Sequence, residues 1–384
     1  MITKTFEETF TYEALYRAHL RGRRCKRDKK PLIRFEMTML SHLNELHLEL
    51  MNGKYKVGRY HSFIVEEPKK REIQTLPYEN RVVQHVICDD LLAPYFLRHT
   101  IVDNCACQEG KGAHFALNRF ETKLKDYVRQ YGRNGYFLKC DILKYFPSMP
   151  HELLAQTVCK HIQDEKIKKL VRDIIESYHA GQTFLDKYGI ESLGKDGTKT
   201  GRGIPIGNQT SQVFGMFYLD KVDRLVKEKL RFKVYSRYMD DFVLLHQDLD
   251  YVKYALEEIR KVVKELGLYL NAKTQIFPIK NGVTYLGFRF IVTEDCKVVK
   301  VVKKQTKRRL RWRARLLKKA YIENLIPIER VKASQAAFHG HLTHARSYKF
   351  ERELNAKLNF EDKGEITKDG KSRRQGVEPA QQGD

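Results

Sequence analysis

The chain has 384 residues, 42% of them hydrophobic, enough for a substantial core in one elongated domain or in two or three lobes. Its 72 Lys and Arg against 48 Asp and Glu leave a formal charge of +24, which favours a polyanionic partner held by salt-sensitive contacts over a merely soluble basic protein. No stretch approaches the roughly 18 apolar residues of a membrane span, and seven scattered cysteines without zinc spacing exclude a zinc finger or a disulfide scaffold.

Residues 1–60 read as mostly helical, running through a basic cluster at Arg21, Arg23, Arg24, Lys26, Arg27, Lys29 and Lys30 into a second helix closed by Asn52-Gly53. The opening MITKTFEETF has no apolar signal core, so a reducing cytoplasm is expected for the free cysteines. KVGRYHSFIVEE looks like a strand punctuated by Pro68. Residues 78–128 carry helical segments broken around CQEGKGAHF, and GYFLKCDIL at 135–143 is a strand ending in a carboxylate. MPHELLAQTVCKHI and EKIKKLVRDIIESYH are helices. Residues 180–203 are glycine-rich and polar and predict a loop, and TSQVFGMFYLDKVDRLVKEKL predicts one long amphipathic helix. FKVYSRYMDDFVLLH is strand, tight turn, strand. A further helix at DYVKYALEEIRKVVKELG precedes strands at LYLNAKTQIFPI and GVTYLGFRFIV. Residues 302–349 form a basic helical region with ten Lys or Arg between 303 and 319, and the polar composition after about 356 predicts a disordered tail.

Two carboxylate features stand out. Asp141 ends a strand, and Asp240 and Asp241 sit in a turn between apolar strands. A surface β-turn or a helix N-cap would explain each alone. Together, in apolar surroundings, they call for a neutralising cation. In-line nucleotidyl transfer uses such a set, with two Mg²⁺ ions about 3.5–4 Å apart on carboxylates and phosphate oxygens. Asp141 and Asp240 are the expected main ligands, Asp241 a more variable one, and the Ile142 carbonyl completes a coordination sphere.

CDILKYF at 140–146, GIPIGNQTSQ at 203–212, YMDD at 238–241, LYLNAKTQI at 268–276 and YLGF at 285–288 occur in reverse-transcriptase order. Across roughly residues 10–350 the chain resembles that family, and most closely its branch from diversity-generating retroelements. The distinguishing stretch is IPIGNQTSQ. Many reverse transcriptases carry Gln where this chain has Ile206, and Pro where it has Gln212. PKKREIQTLPYENRVVQHVI and FHGHLTHARSYKF also resemble this branch. A defence-type or retron-like enzyme is the alternative. A group II intron enzyme is disfavoured, because no maturase or nuclease segment follows the basic helices.

The resemblance implies an α+β right hand: N-terminal region and fingers at 1–135, palm with the primer-grip hairpin at 136–298, basic helical thumb at 299–350 and polar tail at 351–384. It implies cDNA synthesis from a template-repeat RNA, frequent errors opposite template adenines, dNTPs as substrates and a small basic accessory variability protein as partner. It places Phe146 beneath the incoming sugar, favouring dNTPs, and Lys69 and Arg71 on a fingers strand facing the triphosphate. Lys273 resembles the lysine that assists the leaving pyrophosphate, though a surface salt bridge suits it nearly as well. Leu286 and Gly287 resemble the primer-grip turn, with plain packing of Leu286 as the alternative.

Other residues are read from their own chemistry. Gly207 permits close backbone approach to nucleotide or template. Ile206 offers no side-chain hydrogen bond, which would loosen base selection. Ser211 either caps its helix or touches template beside Gln212. Arg81 binds template or triphosphate, or makes a structural ion pair. Tyr238 and Met239 flank the aspartates as template or primer contacts. Trp312, the single tryptophan, stacks on nucleic acid among the basic residues or packs inward. A nucleotidyl cyclase shares paired carboxylates but lacks GIPIGNQTSQ and YLGF. A non-catalytic scaffold would not need Asp141, Asp240, Asp241, Lys69 and Arg71 together.

Overall fold

The computed structural model describes residues 1–66, 70–194 and 199–358. The chain divides into two compact units, one of Met1–Val283 with Val292–Val298, the other of Thr284–Ile291 with the chain from Val299 onward.

In the first unit, helices Tyr12–Gly22, Lys30–Met37 and Met39–Met51 open the chain, the last ending at Asn52 with Gly53 at φ +66°. Strands β1 (His61–Val65) and β2 (Arg71–Thr75) pair antiparallel, with Val65 opposite Arg71. Strands β3 (Tyr136–Asp141), β4 (Val234–Tyr238), β5 (Asp241–His246) and β6 (Gln275–Pro278) form one sheet in the order β4-β5-β3-β6. All of its pairings are antiparallel. Phe137 and Leu138 point to opposite faces of β3, yet both are fully buried, because the sheet is covered on both sides. Helix Leu249–Glu265 packs against β3 and β5 with Val252, Ala255, Ile259 and Val263 buried, an i, i+3, i+7, i+11 stripe. Helix Ala113–Tyr131 lies against β4. Each fully buried Leu, Ile or Phe here contributes about 1.5–3 kcal/mol by leaving water, so the strand bearing Asp141 is fixed by the core beneath it.

The structure alters three expected elements. The expected loop at 180–203 contains a short helix, Gln182–Lys187, whose Leu185 joins Ala180 and Ile190 in a small core. The expected long amphipathic helix breaks at Leu219 into Gln209–Tyr218, Asp220–Arg224 and a π-helical turn Leu225–Lys229. Residues 213–218 are all buried, so the first piece is a core helix with no solvent face along that run. LYLNAK is not a strand; only Leu270 bridges to Ile142, ahead of β6.

In the second unit, β7 (Val283–Tyr285), β8 (Phe288–Val292) and β9 (Val298–Val302) form a three-stranded sheet whose ends overlap the first unit. Leu286 (φ +46°) and Gly287 (φ +86°) turn between β7 and β8, both positive as a type I′ hairpin requires. Helices Lys304–Ile322, Ile328–Leu342 and Tyr348–Leu358 follow, packed through Leu310, Ala314, Val331, Phe338, Phe350 and Leu354. The last helix crosses the expected thumb boundary at 350, held by paired hydrogen bonds from Arg311 to Glu353 at 2.9 and 2.8 Å. The rest of the expected tail, 359–384, lies outside the described residues. Among those described, no helix is long and apolar enough to cross a membrane.

Candidate active site

Three carboxylates meet at one end of the central sheet. Asp141, the last residue of β3, lies directly opposite Asp241, the first of β5. Tyr238 pairs with Asp241 across β4 and β5, so Met239 and Asp240 form a two-residue turn. Met239 takes φ +56°, the region that favours glycine at the first position of a II′ hairpin. Burial first, then the charges of Asp141 and Asp241, push the Asp240 carboxyl up to about 6, against the pull of its own backbone hydrogen bond and of Arg71. Lys139 lies two residues before Asp141 on the same face of β3, its Nζ 3.4 Å from Asp241 Oδ1.

The donor set has the chemistry for a hard divalent cation: carboxylate oxygens whose mutual repulsion a cation would relieve. Among the described residues, no three His, Cys, Asp or Glu side chains are gathered closely enough to enclose a metal ion by themselves. Ile142 is buried and bridged to Leu270. Asn271 N donates to Asp141 O at 2.7 Å, and Lys273 N donates to Asn271 Oδ1 at 3.1 Å. The segment bearing the exposed Lys273 is thereby stapled to the end of β3.

Phe146 is half-buried beside the buried helix Gln209–Tyr218. A Cβ on Gly215 of that helix would stand 3.2 Å from the Phe146 ring, and Tyr145 donates to Gly215 O at 2.7 Å. Ile204 N donates to Phe146 O at 3.0 Å and Gly203 N to Met149 O at 2.8 Å. The chain leading into Ile206-Gly207 is therefore sewn onto the Phe146 segment. Gln74 of β2 clamps the next residues, accepting from Ile206 N through Oε1 at 3.2 Å and donating its own backbone N to Ile206 O at 2.9 Å. Gly207 has φ +135°, and a Cβ there would lie 2.3 Å from Gln74 O.

Arg71 opens β2 as an exposed residue; Lys69 lies outside the described residues. Arg81 stacks over the Tyr78 ring at 5.0 Å. No ion pair involving Arg81 is found among the described residues. Gln212 is exposed, with Cys107 Sγ 3.9 Å from its Oε1. Ser211 departs from expectation: Asn208 is the N-cap, and Ser211 is buried within the helix at 2% exposure. It neither caps the helix nor presents a surface for template, because the helix enters the core at its first turn. In the second unit, Trp312 is 46% exposed on the basic helix Lys304–Ile322, so it does not pack inward.

A profile of the reverse transcriptase (RNA-dependent DNA polymerase) family matches residues 66–290, more than half of the 384. The chain belongs to the reverse transcriptase family. No curated protein matches it. Telomerase from Candida albicans, solved in complex with a TWJ fragment of telomeric RNA, is similar at 14% identity and TM-score 0.43, covering 64% of this chain and 46% of that one. Apo telomerase from Candida tropicalis is similar at 13% identity and TM-score 0.46, covering 64% and 49%. This reverse transcriptase thus spans about half the length of those two chains.

Sequence reasoning missed three polar groups at this reverse transcriptase's site. Lys139 was legible as the i+2 strand partner of Asp141. Gln74 carried no signal. Arg237, a cation inside the buried strand β4, is wholly buried against Asp223.

Proposed function

We propose that this reverse transcriptase makes error-prone cDNA from a template-repeat RNA by metal-assisted nucleotidyl transfer, as enzymes of diversity-generating retroelements do. The observation that carries the reading is Asp141 opposite Asp241 beside the Met239–Asp240 turn, with Arg71 close enough to act on Asp240 through its charge. Two Mg²⁺ ions, held by Asp141, Asp240, Asp241 and the Ile142 carbonyl, would when bound activate the attacking 3′ oxygen and neutralise the leaving pyrophosphate. Arg71, with Lys69, orients the triphosphate by its fixed fork of donors. Phe146 underlies the sugar and excludes a 2′-hydroxyl. Lys273 supplies positive charge or a proton to the leaving group.

Ile206 lends the incoming base pair no side-chain hydrogen bond, and the Gln74 clamp fixes its backbone instead. The looseness this leaves in base selection supports the error-prone reading. Tyr238, Met239, Gln212 and Arg81 would meet template or primer, as would Leu286, Gly287 and Trp312 of the second unit. A small basic accessory protein is the proposed partner, and the basic residues 21–30 a place for it or for RNA.

Primer extension with Mg²⁺ and dNTPs on RNA and DNA templates tests this, with and without the structured RNA and partner. Wild type should extend on RNA. D141N and D240N should each lose about 1,000-fold or more, the several kcal/mol of charge stabilisation a metal centre supplies. Equal extension by wild type and D240N would reject the assignment.

A further inference from the structure

The turn that carries Asp240 is held from behind by a fully buried ion pair. Arg237, the residue before Tyr238, is 0% exposed, as is Asp223 of the Asp220–Arg224 helix. Arg237 Nε donates to Asp223 Oδ1 at 2.7 Å and Nη2 to Asp223 Oδ2 at 2.5 Å. Nη2 also donates to Met216 O at 3.0 Å, and Nη1 to Met239 O at 3.0 Å. Tyr235 OH donates to Asp223 Oδ1 at 2.6 Å. On the strand's outer edge, Arg237 N donates to Asp103 O at 2.9 Å and Cys105 N to Arg237 O at 3.0 Å.

Two features say that this arrangement does more than fill the core. A buried ion pair is no better for stability than apolar residues of the same volume, so its presence in a sheet otherwise packed with Phe, Leu and Val needs another reason. The carbonyl it reaches belongs to Met239, a non-glycine residue at φ +56°. Such a residue costs on the order of 1–3 kcal/mol and persists only where its surroundings hold it. Arg237 is that hold. Its planar fork spends one edge on Asp223 and extends Nη1 to the strained peptide next to Asp240.

We infer that Arg237 and Asp223 are positioning residues that keep the Met239–Asp240 turn in the conformation presenting Asp240 beside Asp141 and Asp241. Lysine in place of Arg237 keeps the charge but cannot serve Asp223 through two donors and Met239 O at once.

The inference rests on the polymerase reading, and two measurements separate the fates of the two. Single-turnover primer extension is followed against Mg²⁺ concentration. Mn²⁺ binding to the full chain with template–primer is followed by electron paramagnetic resonance, which requires no turnover. R237K should retain a cooperative melt, raise the half-saturating Mg²⁺ and weaken Mn²⁺ binding about fivefold or more, and lower the maximal rate with little change in KM for dNTP. D223N, which leaves Arg237 an acceptor, should shift the same quantities less. Adding M239G to R237K removes the cost of positive φ and should recover part of the lost Mn²⁺ affinity. Wild-type Mn²⁺ affinity and Mg²⁺ dependence in a folded R237K would overturn the inference. So would loss of the cooperative melt in both R237K and D223N, which would make the pair structural only. A wild-type chain that extends no primer would sink the polymerase reading, while the Mn²⁺ titration still reports on the pair.

Discussion

At the scale of single residues, the side chains of Phe146 and Ile206 predict selectivity. Phe146 reaches its place because Gly215 leaves room for the ring. F146A should therefore raise ribonucleotide incorporation by roughly tenfold or more, the range set by filling or emptying a pocket contact; an unchanged dNTP/rNTP ratio in single-nucleotide insertion would contradict the assignment. Ile206 stands where the family resemblance leads one to expect Gln, and its backbone is fixed by Gln74 whatever its side chain. I206Q should then keep the fold and lower misincorporation opposite template adenines, read as error frequency in a matched extension assay. G207A behaves differently. Its Cβ would press on Gln74 O at 2.3 Å with φ at +135°, so the clamp itself must open, and activity should fall with both correct and incorrect nucleotides.

At the scale of elements, the loop ahead of Ile206 hangs on His151. This buried histidine donates Nε2–H to Gly203 O at 2.7 Å at the start of helix His151–Cys159. Desolvation, ahead of the opposing Gly203 hydrogen bond and the neighbouring His179, Arg202 and Lys199, holds its pKa down to about 4. The unfolded chain takes up that proton near pH 6.5, the folded chain only near 4. Stability is thus fully present above about 6.5 and is lost as pH falls towards 4, by about 2 kcal/mol between pH 7 and pH 5 from this group. Urea unfolding of H151Q, whose amide can still donate to Gly203 O, should show that much less pH dependence than wild type. Several elements were legible because a short apolar run bounded by turn residues marks a strand covered on both faces, as in β3 and β5, or because a period of 3.6 marks a helix, as in Leu249–Glu265. The helix from Gln209 was misread because burial on every side erases amphipathic periodicity, and its break at Leu219 follows from packing rather than from a glycine or proline. The carboxylates were legible from spacing. Arg237, Asp223 and Gln74 were not, because their partners lie between 14 and 132 residues away in sequence, and no local pattern reports a contact of that kind.

At the scale of the whole molecule, the charge of +24 has a testable distribution. In the second unit, helix Lys304–Ile322 buries Leu310 and Ala314 and exposes Arg308, Trp312 and Arg315. These three are spaced i, i+4, i+7 and so share one face. The two arginines and the tryptophan should contribute to RNA binding in physically different ways. A guanidinium on a phosphate releases a counterion, so its contribution shrinks as salt rises, whereas a stacked indole does not depend on counterions. The double variant R308A/R315A should weaken binding of single-stranded RNA and flatten the slope of log K against log salt by about 1.4, roughly 0.7 per lost phosphate contact. W312A should cost about 1–3 kcal/mol of binding while leaving the slope as in wild type. Both follow from fluorescence anisotropy titrations between 50 and 300 mM salt, a range of roughly the size over which polyelectrolyte binding changes by orders of magnitude. If W312A changed the slope and not the intercept, or the arginine pair changed neither, the outward face of this helix would be a solvated surface and the nucleic acid would be held elsewhere on the chain.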